Sequence, residues 1–352
     1  MEHTHCVPEK EGCCCKVQTP QPLWKNRLFI ITLVYFAVFY FGNFVGALSP
    51  LSMALWMYSG VIALPVLLGL LIGGLIDWLV PSEYISKLLA RKKKRTIPYA
   101  VISGFLMSAC SHGILAISIQ LYKKGASTPS VVAFLLASPW ANLPLTMIMF
   151  GFFGIRALFI IFGAVVIALI SGYIFMFLEG RNLVDSNPNT VEVEDSFSIL
   201  KDAALRLSRV KVGLLPALEG AKAVWKGTLA LADMVLWWIM LGAFLSSLAA
   251  AYVPSGIFQN YMGPTVAGLL ATLLLATVIE ICSEGSAPLA FEIFRQTGAL
   301  GNSFVFLMAG VVTDYTEIGL LWANIGWRTA LWLPAVAVPQ TIILGLIANR
   351  FL

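Results

Sequence analysis

Five side chains in two short stretches of this chain could bind a metal ion. They are Cys110 and His112 in SACSHG (residues 108–113), and Glu280, Cys282 and Glu284 in EICSEG (residues 280–285). Thiolate and imidazole suit zinc, copper(I) and related ions, and a carboxylate adds charge for a divalent cation. Both stretches interrupt apolar runs. Ionisable groups in such surroundings are costly and usually face a pathway or a partner, so they read as a substrate site inside a membrane. Gly113 and Gly285 close the two motifs and would let the helix break there, because glycine takes up backbone conformations that other residues resist. Asn142 and Asp314 each follow the cysteine of their stretch by 32 residues and would complete the site or relay protons. Cys110, His112, Cys282 and Glu284 are thus the expected metal ligands, with Glu280, Asn142 and Asp314 along the transport path. The plainer readings are carboxylates at a membrane interface and cysteines that merely pack.

The two stretches are diverged copies of one another. At an offset of 172 residues, Lys123 aligns with Arg295, Phe134, Leu135 and Ala137 with Phe306, Leu307 and Ala309, and Asn142 with Asp314. Val80, Pro81 and Ser82 recur as Val253, Pro254 and Ser255 at an offset of 173. An internal repeat with a polar break in each copy is the mark of a secondary transporter whose site lies between two related halves.

Composition sets the class of the elements that must position these residues. Of 352 residues, 59% are apolar and 12% charged, whereas about a quarter are charged in soluble domains. An all-α polytopic membrane protein is expected, since helices satisfy their own backbone in lipid. Runs long enough to cross a hydrocarbon core of about 30 Å lie near residues 28–47, 57–79, 131–150, 157–178, 228–250, 303–323 and 329–348. Two further runs, near 97–121 and 262–294, contain the motifs. The net charge of +5 sits beside apolar spans and fits lipid headgroups, so no nucleic-acid partner is expected.

Charge also sets the topology. The run KLLARKKKR (87–95) and the basic loop 179–226 belong on the cytoplasmic side, together with the N-terminus, in a multi-pass protein of the inner (cytoplasmic) membrane. Both loops can share that side if residues 97–122 dip in and return. The halves then form an inverted-topology repeat, each with a re-entrant or broken helix, plus an extra N-terminal helix outside the duplication. Nine straight helices with one mis-sided loop is the alternative. The expected units are a tail (1–27), a first transmembrane half (28–178), a cytoplasmic loop (179–226) and a second half (227–352).

The first 22 residues lack the apolar core of a secretory signal. They carry His3, His5, Cys6, Cys13, Cys14 and Cys15, candidate ligands for collecting a soft ion in a reducing compartment. Without a C-x-x-C spacing, incidental cysteines in a disordered tail are the alternative. No P-loop, H-E-x-x-H or G-x-S-x-G is present, which argues against an ATP-driven pump or a hydrolase. No cofactor is expected, and a metal would be cargo. The small residues of LLGLLIGGLID (67–77) allow close helix packing, within the monomer or in a homodimer.

These motifs carry a family resemblance. The chain resembles the ArsP-type predicted permeases, which have a C-S-x-G element before an apolar helix reading like AFLLASP and a diverged second copy near the C-terminus. Here those elements are Cys110–Gly113, Ala133–Pro139 and Cys282–Gly285, and the resemblance covers about residues 28–350. It implies efflux of toxic metals or metalloids, including trivalent organoarsenicals in some relatives. Many relatives read C-S-C-G, where this chain has His112. A trivalent arsenical prefers paired thiolates, so the change moves the preference towards zinc or copper. The expected function is a secondary-active permease exporting such an ion, with protons as coupling ion. Export of trivalent organoarsenicals is the alternative, and a membrane-anchored metal sensor or assembly factor is a second.

Overall fold

A computed structural model describes residues 27–42, 44–79, 95–104, 111–123, 125–188, 214–279 and 283–352. Among them there is no β-strand, and almost every residue lies in an α-helix. The first part of the chain gives α1 (Arg27–Phe41), α2 (Ser49–Leu79), α3 (Thr96–Gly104), α4 (Ser111–Lys123), α5 (Thr128–Ala141), α6 (Leu143–Phe153) and α7 (Ala157–Gly180). The second gives α8 (Leu214–Tyr252), α9 (Ser255–Tyr261), α10 (Val266–Ile279), α11 (Ser283–Thr297), α12 (Leu300–Val312), α13 (Tyr315–Asn324) and α14 (Trp327–Phe351).

Element boundaries follow the repeat seen in sequence. The starts of α4, α5 and α6 (Ser111, Thr128, Leu143) recur 172 residues later as the starts of α11, α12 and α13 (Ser283, Leu300, Tyr315). Packing recurs as well. In the first half α5 packs against α3, α4 and α7, and in the second α12 packs against α10, α11 and α14. The halves meet along α2 and α8, the most extensive helix pair, and through two reciprocal contacts, α6 with α11 and α13 with α4.

The centre of each half is a short helix buried all round. The residues of α5 from Thr128 to Trp140, and all of α12, are buried. Such helices need no amphipathic stripe because neighbours surround them on every side. Among the described residues, four helical stretches are long and apolar enough to cross a membrane, namely Ser49–Ile72, Leu143–Gly180, Leu300–Asn324 and Trp327–Phe351. Leu236–Tyr252 and Ser255–Tyr261, bent by 103°, make a fifth if counted as one span.

Two of the apolar runs, 131–150 and 303–323, are not single helices. The first breaks at Asn142 (φ −60°, ψ 124°) and the second at Asp314 (φ −59°, ψ 118°). The near-identical extended geometry has different local causes. After Asn142 the chain has Pro144, which lacks an N–H and suits the first turn of a helix. Asp314 restarts the helix by capping it, its Oδ1 accepting from the N–H groups of Thr316 (2.7 Å) and Glu317 (3.0 Å).

Two glycines of 67–77 serve packing within the monomer: Gly69 lies against Pro144 of α6 and Gly74 against Thr228 of α8. The helices α8 and α11 approach closely at Gly242, where a methyl group would overlap the backbone of Gly285. Gly242→Ala should therefore push the two helices apart. A loss of about 1–3 kcal/mol is expected, as for other overpacked sites, read as a lower thermal midpoint in detergent. An unchanged midpoint would show that the helices separate without cost.

Candidate intramembrane site

Glu284 is the second residue of α11 and is wholly buried. A carboxylate is stabilised in the first turn of a helix, where backbone N–H groups give a partial positive charge. Its Oε1 accepts a 2.9 Å hydrogen bond from Nδ2 of Asn142, and its Oε2 accepts one of 3.1 Å from the Ser283 hydroxyl. Asn142 is also wholly buried and sits at the break between α5 and α6. The bond therefore joins the break in the first half to the start of the half-length helix in the second. An amide donor satisfies a lone pair of the carboxylate and leaves its charge in place.

At the second break, Asp314 is buried and spends Oδ1 on the cap of α13. Beside it, the hydroxyls of Thr313 and Thr277 lie 2.7 Å apart, bridging α10 to the break. These hydroxyls were not among the residues singled out in sequence, because threonine in an apolar run gives no distinctive signal. Asp314→Asn should keep the cap, since asparagine is an equally good N-cap residue, whereas Asp314→Ala should lose about 1 kcal/mol. Thermal unfolding of both variants separates capping from any role of the charge: a transport defect in the stable asparagine variant would assign the charge to the path.

Of the sequence-derived set, Asn142 and Glu284 are brought into contact. Gly113 and Gly285 are the third residues of α4 and α11. Cys110, Glu280, Cys282, the side chain of His112 and the tail ligands His3, His5, Cys6, Cys13, Cys14 and Cys15 lie outside the described residues. Among the described residues, no three His, Cys, Asp or Glu side chains converge as a metal site.

A further buried carboxylate, Glu292, was missed in sequence. It lies two turns beyond Glu284 on α11 and is wholly buried. Arg295 grips it with both arms (Nε to Oε2 2.8 Å, Nη2 to Oε1 2.7 Å), Gln296 donates to Oε1 at 2.6 Å, and the Tyr58 hydroxyl of α2 donates to Oε2. Phe152 of α6 stacks on Phe291 beside it (centroids 4.7 Å apart). The E-x-x-R spacing was a signal, since residues three apart share a helix face.

The same residues that build these halves match a family model for predicted permeases over positions 52–349, most of the chain. The chain belongs to the ArsP_1 family of predicted permeases. It is thus a multi-pass membrane permease, a transporter rather than an enzyme. The permease is 24% identical over 263 residues to UPF0718 protein YcgR of Bacillus subtilis (strain 168), covering 73% of this chain and 83% of that protein. It is 22% identical over 273 residues to a Streptococcus mutans protein named "Putative two-component membrane permease complex subunit", covering 76% and 85%. It is also 24% identical over 255 residues to "Putative permease Rv2963" of Mycobacterium tuberculosis, covering 66% and 60%. No solved structure matches the chain.

Proposed function

We propose that this permease exports a soft or borderline metal ion, zinc or copper, from the cytoplasm by rocking one half against the other. The observation that carries this reading is the buried hydrogen bond from Asn142 to Glu284, which joins the chain break of the first half to the start of α11 in the second. Any relative motion of the halves must stretch or remake that bond, so a ligand seated there is coupled to the motion. The carboxylate supplies charge for a cation. Cys110, Cys282 and His112 supply the softer donors, and Glu280 and Asp314 line the path. At the 172-residue offset, the counterparts of Asn142 and Glu284 are Asp314 and His112. The two halves therefore offer different chemistry at equivalent positions, an amide and a histidine against two carboxylates.

In this reading the halves are inverted in the membrane and protons drive export. The N-terminal tail lies in the cytoplasm and delivers the ion, and the protein resides in the inner membrane. The name of the Streptococcus mutans relative adds a partner subunit, or a second copy of this chain, to what an assay must supply.

The test is the metal content and survival of an efflux-deficient host expressing the permease, challenged with zinc, copper, cadmium, arsenite and methylarsenite. A Cys110→Ala, Cys282→Ala variant runs alongside. Lower cell-associated zinc or copper, restored to control levels in the variant, is the expected result. Protection against arsenicals alone would replace the metal ion by a trivalent arsenical held by the two thiols. No change under any challenge would remove export altogether.

A further inference from the structure

We infer that this permease binds an anionic phospholipid in a groove at the head of α14, with the lipid phosphate on Arg328. The groove encloses about 410 Å³ between α14 and the segment that follows α7. Its walls are Leu183, Trp327, Leu331, Trp332 and Ala335, with Arg328 and the Asn182 backbone at one end. The spacing matters. Residues 328, 331, 332 and 335 stand at positions i, i+3, i+4 and i+7, so they form a single stripe down one face of the helix. Because Trp327–Phe351 is long and apolar enough to cross a membrane, a stripe that begins at its first turn would start at the boundary and run towards the hydrocarbon. A guanidinium at the top and an apolar strip below match a phosphate and an acyl chain in the same order.

The guanidinium is held in place without being used up. Arg328 Nη1 donates to the Asn182 carbonyl (3.1 Å), and the group lies over the Trp327 ring (5.6 Å to the centroid). Asp185 Oδ1 forms an ion pair with it at 4.0 Å, too long for a hydrogen bond, so the pair is solvent-screened and leaves N–H donors of the guanidinium open, with both side chains partly exposed. A guanidinium has five N–H donors in a planar fork, which matches phosphate oxygens in pairs. Arginine and tryptophan together at a span boundary belong at headgroup level. Leu183, Trp327 and Leu331 are each about half exposed, so the strip is open to a lipid chain.

The place gives the lipid a role. Residues 182–187 tie the halves together: Asn187 donates to the carbonyls of Tyr122 (2.6 Å) and Ala126 (2.7 Å), Thr128 donates to the Asp185 carbonyl (2.8 Å), and Arg328 reaches in from the second half. A lipid on Arg328 would brace this seam whatever the cargo of the permease.

The test compares the whole permease in nanodiscs of phosphatidylcholine with and without phosphatidylglycerol, reading thermal midpoint and lipid retained after purification. Phosphatidylglycerol should raise the midpoint and be retained, and Arg328→Gln should cut retention about tenfold, the size of one lost charge-assisted contact. Arg350→Gln, at the far end of α14, should not. Should Arg328→Gln fail to fold, Ala335→Phe keeps the guanidinium and fills the groove, and it should lose the lipid alone. Equal retention in Arg328→Gln or Ala335→Phe would overturn the proposal. So would an equal rise in midpoint with inorganic phosphate, which would make this a free-anion site.

Discussion

Glu284→Gln should stop most transport while leaving the fold intact. Glutamine keeps the shape of the side chain and an oxygen that can still accept from Asn142, so the inter-half hydrogen bond survives and only the charge is lost. If that charge holds a cation, substrate affinity should fall about 10- to 100-fold, corresponding to about 1.5–3 kcal/mol for a charge-assisted contact. Uptake into vesicles across a range of metal concentrations reads the shift directly. Asn142→Ala should have the opposite profile, keeping the charge and losing the bond between halves, so its turnover should change more than its affinity. Wild-type affinity and turnover in Glu284→Gln would take the carboxylate out of the path. That outcome would return Glu284 to the simpler role of a helix-start acid stabilised by backbone N–H groups.

Arg295→Ala should be the most destabilising single change on α11. It leaves the wholly buried Glu292 with Tyr58 and Gln296 as remaining hydrogen-bond donors and removes its counter-charge. Breaking a buried ion pair from one side costs about 3–5 kcal/mol. The guanidinium is 39% exposed, so the lower end, about 3 kcal/mol, is expected after screening. Glu292→Gln should cost less, since it removes the charge that needs a partner and keeps one amide oxygen that can accept from Tyr58 and Arg295 Nε. The order of the thermal midpoints, wild type above Glu292→Gln above Arg295→Ala, checks the argument. Equal midpoints for all three would show that water reaches the carboxylate. The cluster matters to the site because α11 carries Glu284 two turns away, and Tyr58 anchors that helix to α2 of the other half.

The physical reason some of this was legible is that covalent sequence records local rules. The 172-residue offset visible in the sequence reappears in the helix starts, because the same small, polar and glycine residues punctuate both copies. The small residues of 67–77 announced close packing, and two of them do pack against α6 and α8. The breaks at Asn142 and Asp314 were half legible. Both residues stand out in sequence as polar positions, but the surrounding runs read as continuous spans. Apolar content measures hydrophobicity along the run and is blind to one residue with ψ near 120°.

By itself, the sequence determined an all-helical membrane permease of two related parts, with polar groups at matching positions in each. Only the tertiary structure decided which polar groups meet. Asn142 and Glu284 are 142 residues apart, and Tyr58 and Glu292 are 234 apart, so no local pattern links them. Each pair forms because a buried carboxylate must find donors among whatever helices pack against it. That choice is made by the packing of α2, α6 and α11, a property of the assembled fold rather than of any segment.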